Sequence, residues 1–494
     1  MRFSKDNYLQ FLQCPRLLWT ACNAPQALAA PDESAEARMR EGQLVESHAR
    51  KLFPDAHIIA HDQPFDEVVA QSQEALLRPA GRAVCNALLA ADGLVAETDI
   101  LVPVDDGFDL FEVKSSTNAK PEHLPDSAFQ WFVAGKMGLR IRRCFLILVN
   151  GKYVRSGEMN PKHLFQVGDV TDGVLEHGAT VDMEAQVNHA LETCRQEKCP
   201  EIPIGEQCTD DCPLRNACWK GVDANENNIF TLYRLPSKRA FGWFRQGITS
   251  TDKIPPDFPL NERQKVQART EKNGKLHVNG GKVRAFLNQL EFPLSLLDFE
   301  TFASAIPLLD GSSPYQQIPF QFSLHVIDKN LDEEPRHESW IWNKDAEADP
   351  KREMLMRLQP LLGNEGSIIA YNAPFEQSIL KQAVRRCPEH GEWLVGILGR
   401  FVDLLTPFRN FAVYHPKQHG SCSLKAVLPA LTGRSYDRLE IGDGETASRE
   451  FMRIVKGEAT GKEVEDIRRR LEEYCGLDTM AMVEILRVMR GLSE

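Results

Sequence analysis

Helix-period and strand-period apolar patterns alternate along this chain in two blocks, separated by a less regular stretch. Over residues 34–53, Val45, Ala49 and Leu52 fall on one face at helical spacing. Strand-like runs follow at 94–102, 108–114 and 143–149, with a helix predicted over 126–136. Asn150-Gly151 predicts a hairpin turn that returns through Tyr153 and Val154. From 221 to 290 the pattern loosens: Pro255, Pro256 and Pro259 break it, and Asn273-Gly274 and Gly280-Gly281 mark turns. A second α/β pattern then begins, with strands expected at 294–299, 320–327 and 367–371, a helix from Pro374, and a long helix over 462–492. The pattern implies two mixed α/β domains, 1–220 and 291–494, joined by a partly helical connector at 221–290.

No apolar run approaches the roughly 20 residues that cross a bilayer, and the N-terminus MRFSKDNYLQFLQCPRLLW has no secretory h-region, so a cytoplasmic protein without a membrane partner is expected. The net charge of −12 argues against a surface coated in positive charge for nucleic acid. Carboxylate-rich metal sites add negative charge of their own, however, and basic residues cluster at Arg140, Arg142 and Arg143, at Lys238, Arg239 and Arg245, and at Arg263, Lys265 and Arg269. Most such clusters are solvated faces. Twelve cysteines in a reducing compartment are expected as buried small hydrophobes and not as a disulfide framework, except where they fall at ligand spacing.

Cys208, Cys212 and Cys218 do so, as C-x3-C-x5-C in a short polar stretch. That density suits thiolate ligands of zinc or an iron–sulfur centre. A fourth ligand must come from elsewhere, and Cys14, Cys194 and Cys199 are the candidates. Phe11-Leu-Gln-Cys14-Pro-Arg ahead of the distant triplet resembles the RecB-like iron–sulfur nucleases, among them the CRISPR-associated RecB-like exonucleases and the AddB-type helicase-nucleases. The resemblance implies a [4Fe–4S] cluster held by Cys14, Cys208, Cys212 and Cys218, stapling the ends of the first domain. The C-x3-C spacing is one residue longer than the C-x2-C common in those relatives.

Between these cysteines stand Asp99 and then Glu112-Val-Lys114. Strand alternation puts Glu112 and Lys114 on one face, with Asp99 in the adjacent strand. Two carboxylates can hold Mg²⁺ or Mn²⁺, while the lysine stabilises negative charge or helps position the attacking water. The order resembles the PD-(D/E)XK, restriction-endonuclease-like core. Asp126 and Gln130 match the glutamine motif that follows it in RecB-like members, although Ala134 stands where relatives often have tyrosine. Relatives also place a histidine or glutamate four residues after a helical glycine; from Gly42 that position is Glu46, with His48 nearby.

In the second domain Asp298 and Glu300 alternate onto one face of an apolar strand. Glu376 follows in Asn372-Ala-Pro-Phe-Glu376, and Tyr474 and Asp478 end the set, four apart on one helical face. This order resembles the DEDD 3′–5′ exonucleases of RNase H-like fold, tyrosine subclass. The resemblance implies Asp298, Glu300, Glu376 and Asp478 as ligands of two metals and Tyr474 as the water-orienting group. Glu376 stands where most members have aspartate, and Asp403 is an accessory acid.

Together these readings imply a metal-dependent phosphodiester hydrolase with two nuclease sites, a DNA exonuclease acting on single strands or ends. An RNA exonuclease and a nucleic-acid-binding or assembly factor with degenerate sites are the alternatives. Trp131, Trp243 and Phe244 could stack bases, though aromatics more often bury in cores. Repair, foreign-DNA defence and RNA processing all fit.

Overall fold

In the computed structural model, which describes residues 2–223, 226–344 and 349–493, alternation along Gly107–Lys114 organises the first sheet. Phe108 and Leu110 face one apolar layer, Phe111 and Val113 the other, so this strand is covered from both sides. The strands are β1 (Phe3–Ser4), β2 (His57–Ile58), β3 (Val84–Ala91), β4 (Leu94–Val104), β5 (Gly107–Lys114), β6 (Ile141–Val149) and β7 (Phe165–Asp169). Their order is β2-β3-β4-β5-β6-β7, with β1 beside the start of β4. β3, β4 and β5 form an antiparallel meander, whereas β5 and β6 run parallel and are joined through the helix Leu124–Lys136. That helix packs Phe129 and Val133 with Phe3, Tyr8 and Leu110. The helix Glu33–Ala49 covers the other face through Val45 and Ala49. Asn86 adopts φ +58°, and there the alternation flips: Cys85 and Ala87 fall in opposite layers, as do Ala96 and Ile100 on the paired strand. Asp99 sits at this irregularity.

The expected hairpin after Asn150-Gly151 does not form. Tyr153 is drawn into the apolar layer, the Arg155 N–H donates to the Ser312 carbonyl at 3.0 Å, and the antiparallel neighbour of β6 is β7 instead. The compact unit around this sheet comprises Met1–Trp219 and also Ser304–Gln316, a segment expected inside the second domain. Ala305 and Ile306 join the layer of Val45 and Ile147.

The other unit comprises Lys220–Ala303 and Gln317–Glu494. Its strands are β8 (His277–Val278), β9 (Leu294–Phe302), β10 (Ile318–Ile327), β11 (Arg336–Ile341), β12 (Ser367–Ala370), β13 (Phe401–Asp403) and β14 (Val413–Tyr414). The main sheet runs β11-β10-β9-β12-β13: the first three are antiparallel, and β12 and β13 lie parallel to β9. The helix Lys462–Ser493 packs on it and buries Leu471, Cys475 and Met482, and Gln321 Nε2 donates to the Leu471 carbonyl at 2.9 Å. The stretch expected as a connector belongs to this unit. Its helices Ser237–Arg245, Glu262–Asn273 and Gly280–Leu287 are regular, and Ile229, Leu232, Trp243 and Ile248 form a small core of their own. Among the described residues no helix is long and apolar enough to cross a membrane.

Candidate functional site

Period-two spacing on β5 delivers Glu112 and Lys114 together, with Lys114 Nζ 2.8 Å from Glu112 Oε1. Asp99, on β4, accepts from the Val113 N–H at 2.6 Å. Asp126 and Gln130 reach the same group from one face of the helix above. Lys114 Nζ lies 2.6 Å from Asp126 Oδ2, and Gln130 Nε2 donates to Glu112 Oε2 at 2.7 Å and to Asp126 Oδ1 at 2.9 Å. Glu112 is only 2% exposed. Burial, with the charge of Glu112 added, pushes the Asp99 carboxyl well above its usual range. Burial and then the charge of Glu112 also raise Glu46, on the helix Glu33–Ala49, so it belongs to the same electrostatic group. His48 does not join it: its Nδ1 lies 2.9 Å from the Leu44 carbonyl oxygen, and burial, with the charge of Lys51 added, lowers its pKa. One member has no signal in the sequence. Lys5 Nζ lies 3.0 Å from Asp126 Oδ1 and 3.4 Å from Glu112 Oε1. Acids from four elements facing two lysines are a donor set for a hard divalent cation.

Cys14, the junction of the helices Lys5–Gln13 and Pro15–Asn23, lines one cavity with Cys208, Cys212 and Cys218. Leu17, Ile202, Ile204 and Leu214 wall it, and Arg16 lines it as well. Burial raises the Cys212 and Cys218 thiols, and the facing thiols add to the shift. Four sulfurs around one largely apolar cavity fit a thiolate-bound metal centre. Of the alternative fourth ligands, Cys194 sits sulfur to sulfur with Cys22 in the core, against the expectation of unpaired cysteines, and Cys199 is not part of the cavity lining.

In the second unit, β9 carries Asp298 and Glu300, whose carboxylate oxygens lie within 4.8 Å of one another and of Cys475 Sγ. The helix Lys462–Ser493 adds Tyr474 and Asp478, one turn apart. Tyr436 donates its hydroxyl to Asp478 Oδ1, and Tyr474 bonds the same carboxylate. Glu376 enters from the first turn of Ala373–Arg386; it is 2% exposed and its Oε2 has no hydrogen-bond partner among the described residues. Burial, with mutual repulsion added, pushes Asp298, Glu300 and Glu376 well above the usual carboxylate range. Asp478 is raised to about 6 by burial, against the pull of the two tyrosine hydroxyls. Lys425, 5.5 Å from the Tyr474 ring centroid, faces Glu300 and Asp478 as a cation. Asp403 meets the group through Glu376, whose carboxyl its charge helps to raise. It accepts from the Asn372 N–H at 3.0 Å and the Leu405 N–H at 3.1 Å, and Arg409 takes its other oxygen, so it holds the turn that aims Glu376. Asn372 takes φ +83° in that turn.

Lys5, Tyr436, Lys425 and Cys475 were not foreseen. Cys475 alone had a signal, its place beside Tyr474. The aromatics expected as base-stacking candidates are taken up in packing: Trp243 and Phe244 in the core of the former connector, and Trp131 against the first sheet. Arg140 and Arg142 both pair with Asp106, and Arg143 with Asp109 at 3.1 Å, which partly neutralises the first basic cluster.

Residues 295–423, which hold Asp298, Glu300, Glu376 and Asp403, match the family model described as a domain of unknown function, DUF2779. The chain is also 24% identical over 229 residues to "Uncharacterized protein MG366" of Mycoplasma genitalium, covering 43% of this chain and 34% of that protein. It is 24% identical over 225 residues to "Uncharacterized protein MG366 homolog" of Mycoplasma pneumoniae, covering 42% and 33%. The chain thus spans about a third of the length of these curated relatives.

Proposed function

We propose that this chain is a metal-dependent nuclease with a PD-(D/E)XK-like site in its first unit and an RNase H-like, DEDD-type site in its second. The observation that carries the reading is the gathering of half-buried Asp298 with buried Glu300, Glu376 and Asp478, with Glu376 Oε2 left without a partner among the described residues. Crowding several carboxylates with too few cations is costly, and divalent cations are the natural counter-charge. The β11-β10-β9-β12-β13 order supports the RNase H-like assignment, and the meander followed by a parallel β6 supports the other.

Asp298, Glu300, Glu376 and Asp478 would hold Mg²⁺ or Mn²⁺ in the second site, and Asp99, Glu112 and Glu46 in the first. When bound, the metal polarises the phosphate and generates the nucleophile from water. Burial and the neighbouring acids push the Tyr474 hydroxyl far up, so it stays protonated and orients a water by hydrogen bonding without acting as a base. Against burial, Glu112 and Asp126 hold Lys114 as an ammonium, suited to charge that develops on the phosphate. Gln130 fixes Glu112 and Asp126. Cys14, Cys208, Cys212 and Cys218 would hold the [4Fe–4S] cluster, with no part in the hydrolysis. The substrate is nucleic acid, with DNA single strands or ends placed ahead of RNA.

The test is cleavage of end-labelled single-stranded DNA, duplex DNA and RNA with Mn²⁺ by protein purified without air, comparing Lys114→Ala and Asp298→Ala. Each substitution is expected to remove a separable part of the activity. A parent protein that cuts none of the three substrates overturns the reading.

A further inference from the structure

We infer that Lys5 is a positioning residue of the first site, a second ammonium that sets the charge and placement of Glu112 and Asp126; this rests on the nuclease reading above. Exposed lysine–carboxylate pairs are usually contingent, but this one is not exposed. The Lys5 side chain is 21% accessible and its partner Glu112 2%. Nor is Lys5 free to swing, because the helix Lys5–Gln13 that starts with it is fixed at three points. At its start Ser4 and Asn7 form a reciprocal cap, Asn7 N–H to Ser4 Oγ at 3.2 Å and Ser4 N–H to Asn7 Oδ1 at 3.0 Å, and β1 pairs with β4, the strand of Asp99. In its middle Tyr8, fully buried, stacks on Phe129 at 5.1 Å, and Phe129 lies on the helix that carries Asp126 and Gln130. At its end stands Cys14 of the cysteine cavity.

The hydrogen-bond ledger separates Lys5 from a mere buttress. Without it, Glu112 Oε1 still has Lys114, Glu112 Oε2 and Asp126 Oδ1 still have Gln130, and Asp126 Oδ2 still has Lys114. No carboxylate oxygen is orphaned when Lys5 is removed. What disappears is one positive charge opposing a divalent cation at Glu112, and one constraint on where Glu112 points.

The experiment uses the full chain with its cysteine centre filled and the second site silenced by Asp298→Ala. Lys5→Met and Lys5→Arg are compared with that parent for Mn²⁺ affinity by calorimetry, for kcat and KM, and for melting temperature. Lys5→Met is expected to bind Mn²⁺ about fivefold more tightly, because an opposing charge is gone. Its kcat should fall about tenfold or more with KM little changed, and Lys5→Arg should restore both. Mn²⁺ affinity within twofold of the parent, or affinity and melting temperature falling together as for a structural prop, overturns the inference. If the parent and Lys114→Ala both cleave nothing, the nuclease reading fails, while the Mn²⁺ affinities still decide the role of Lys5.

Discussion

Replacing Asp298 with asparagine is expected to stabilise the metal-free protein while silencing the second site. The substitution keeps the volume and removes one charge. An Asp298 oxygen lies within 4.8 Å of one of Glu300, and at an effective dielectric of about 20 two unit charges at that separation repel by about 3.5 kcal/mol. Asp478 adds to the repulsion. Not all of it is present without metal, because the raised carboxyl groups take up protons that neutralise part of the cluster. A gain of about 1–3 kcal/mol remains, and each kcal/mol is worth about 2–4 °C in Tm for a unit of this size. The contact with Cys475, whose Sγ lies 3.6 Å from Asp298 Oδ2, survives because the amide oxygen still accepts. Manganese should reverse the ranking: at about a hundredfold excess over Kd it stabilises the parent by about 2.7 kcal/mol and the variant far less. Thermal unfolding in EDTA and in Mn²⁺, alongside cleavage of an end-labelled strand, measures both halves. A variant less stable than the parent in EDTA by more than about 1 kcal/mol would refute the reasoning, since Asp298 would then be held by native partners and not be awaiting a cation.

Three further outcomes are expected. Gln130→Leu removes the donor shared by Glu112 Oε2 and Asp126 Oδ1; denaturant unfolding should show a loss of about 3–6 kcal/mol, since hydrogen bonds to charged groups carry about 1.5–3 each, and first-site cleavage should fall with it. His325 is lowered from 6.5 to about 4 by burial and by His337 stacked on it at 4.3 Å, and its Nδ1 sits 2.7 Å from Thr479 Oγ1. The unfolded chain therefore takes up a proton between pH 6.5 and about 4 that the native chain refuses, so this group destabilises the fold as pH falls through that window and is silent above it. The stability difference between parent and His325→Gln should shrink or reverse from pH 7 to pH 4, and a pH-independent difference would contradict the assignment. Finally, visible absorbance in protein purified without air should disappear with Cys208→Ser or on chelation of iron, and amide exchange should then accelerate in Lys5–Gln13, whose last turn leads into Cys14, more than in β10.

What was legible in the sequence is what local geometry dictates by itself. Glu112 with Lys114, and Asp298 with Glu300, share a strand face whatever the fold around them; Asp126 with Gln130, and Tyr474 with Asp478, share a helix face for the same kind of reason. Glu46 and His48 illustrate the limit of that resolution. Two positions apart on a helix are about 200° apart, so only one can face the acids, and the apolar stripe through Val45 and Ala49 borders both equally, so it could not choose between them. Turn chemistry alone misled at Asn150-Gly151, where burying Tyr153 and pairing β6 with β7 outweighed a favourable hairpin turn. Prolines and glycines likewise made 221–290 read as a connector, although Phe230, Trp243, Phe244 and Phe258 pack a core of their own. Lys5, Lys425 and Tyr436 escaped because no period relates them to the acids they meet. Each arrives from an element distant in sequence, and a lone lysine or tyrosine at a helix start or in a loop looks the same whether it ends in water or over a carboxylate. Spacing therefore paired Glu112 with Lys114, Asp298 with Glu300 and Tyr474 with Asp478, and the resemblance added Asp99, Glu46 and Glu376, whereas Lys5, Lys425 and Tyr436 could be found only once the chain had brought them together.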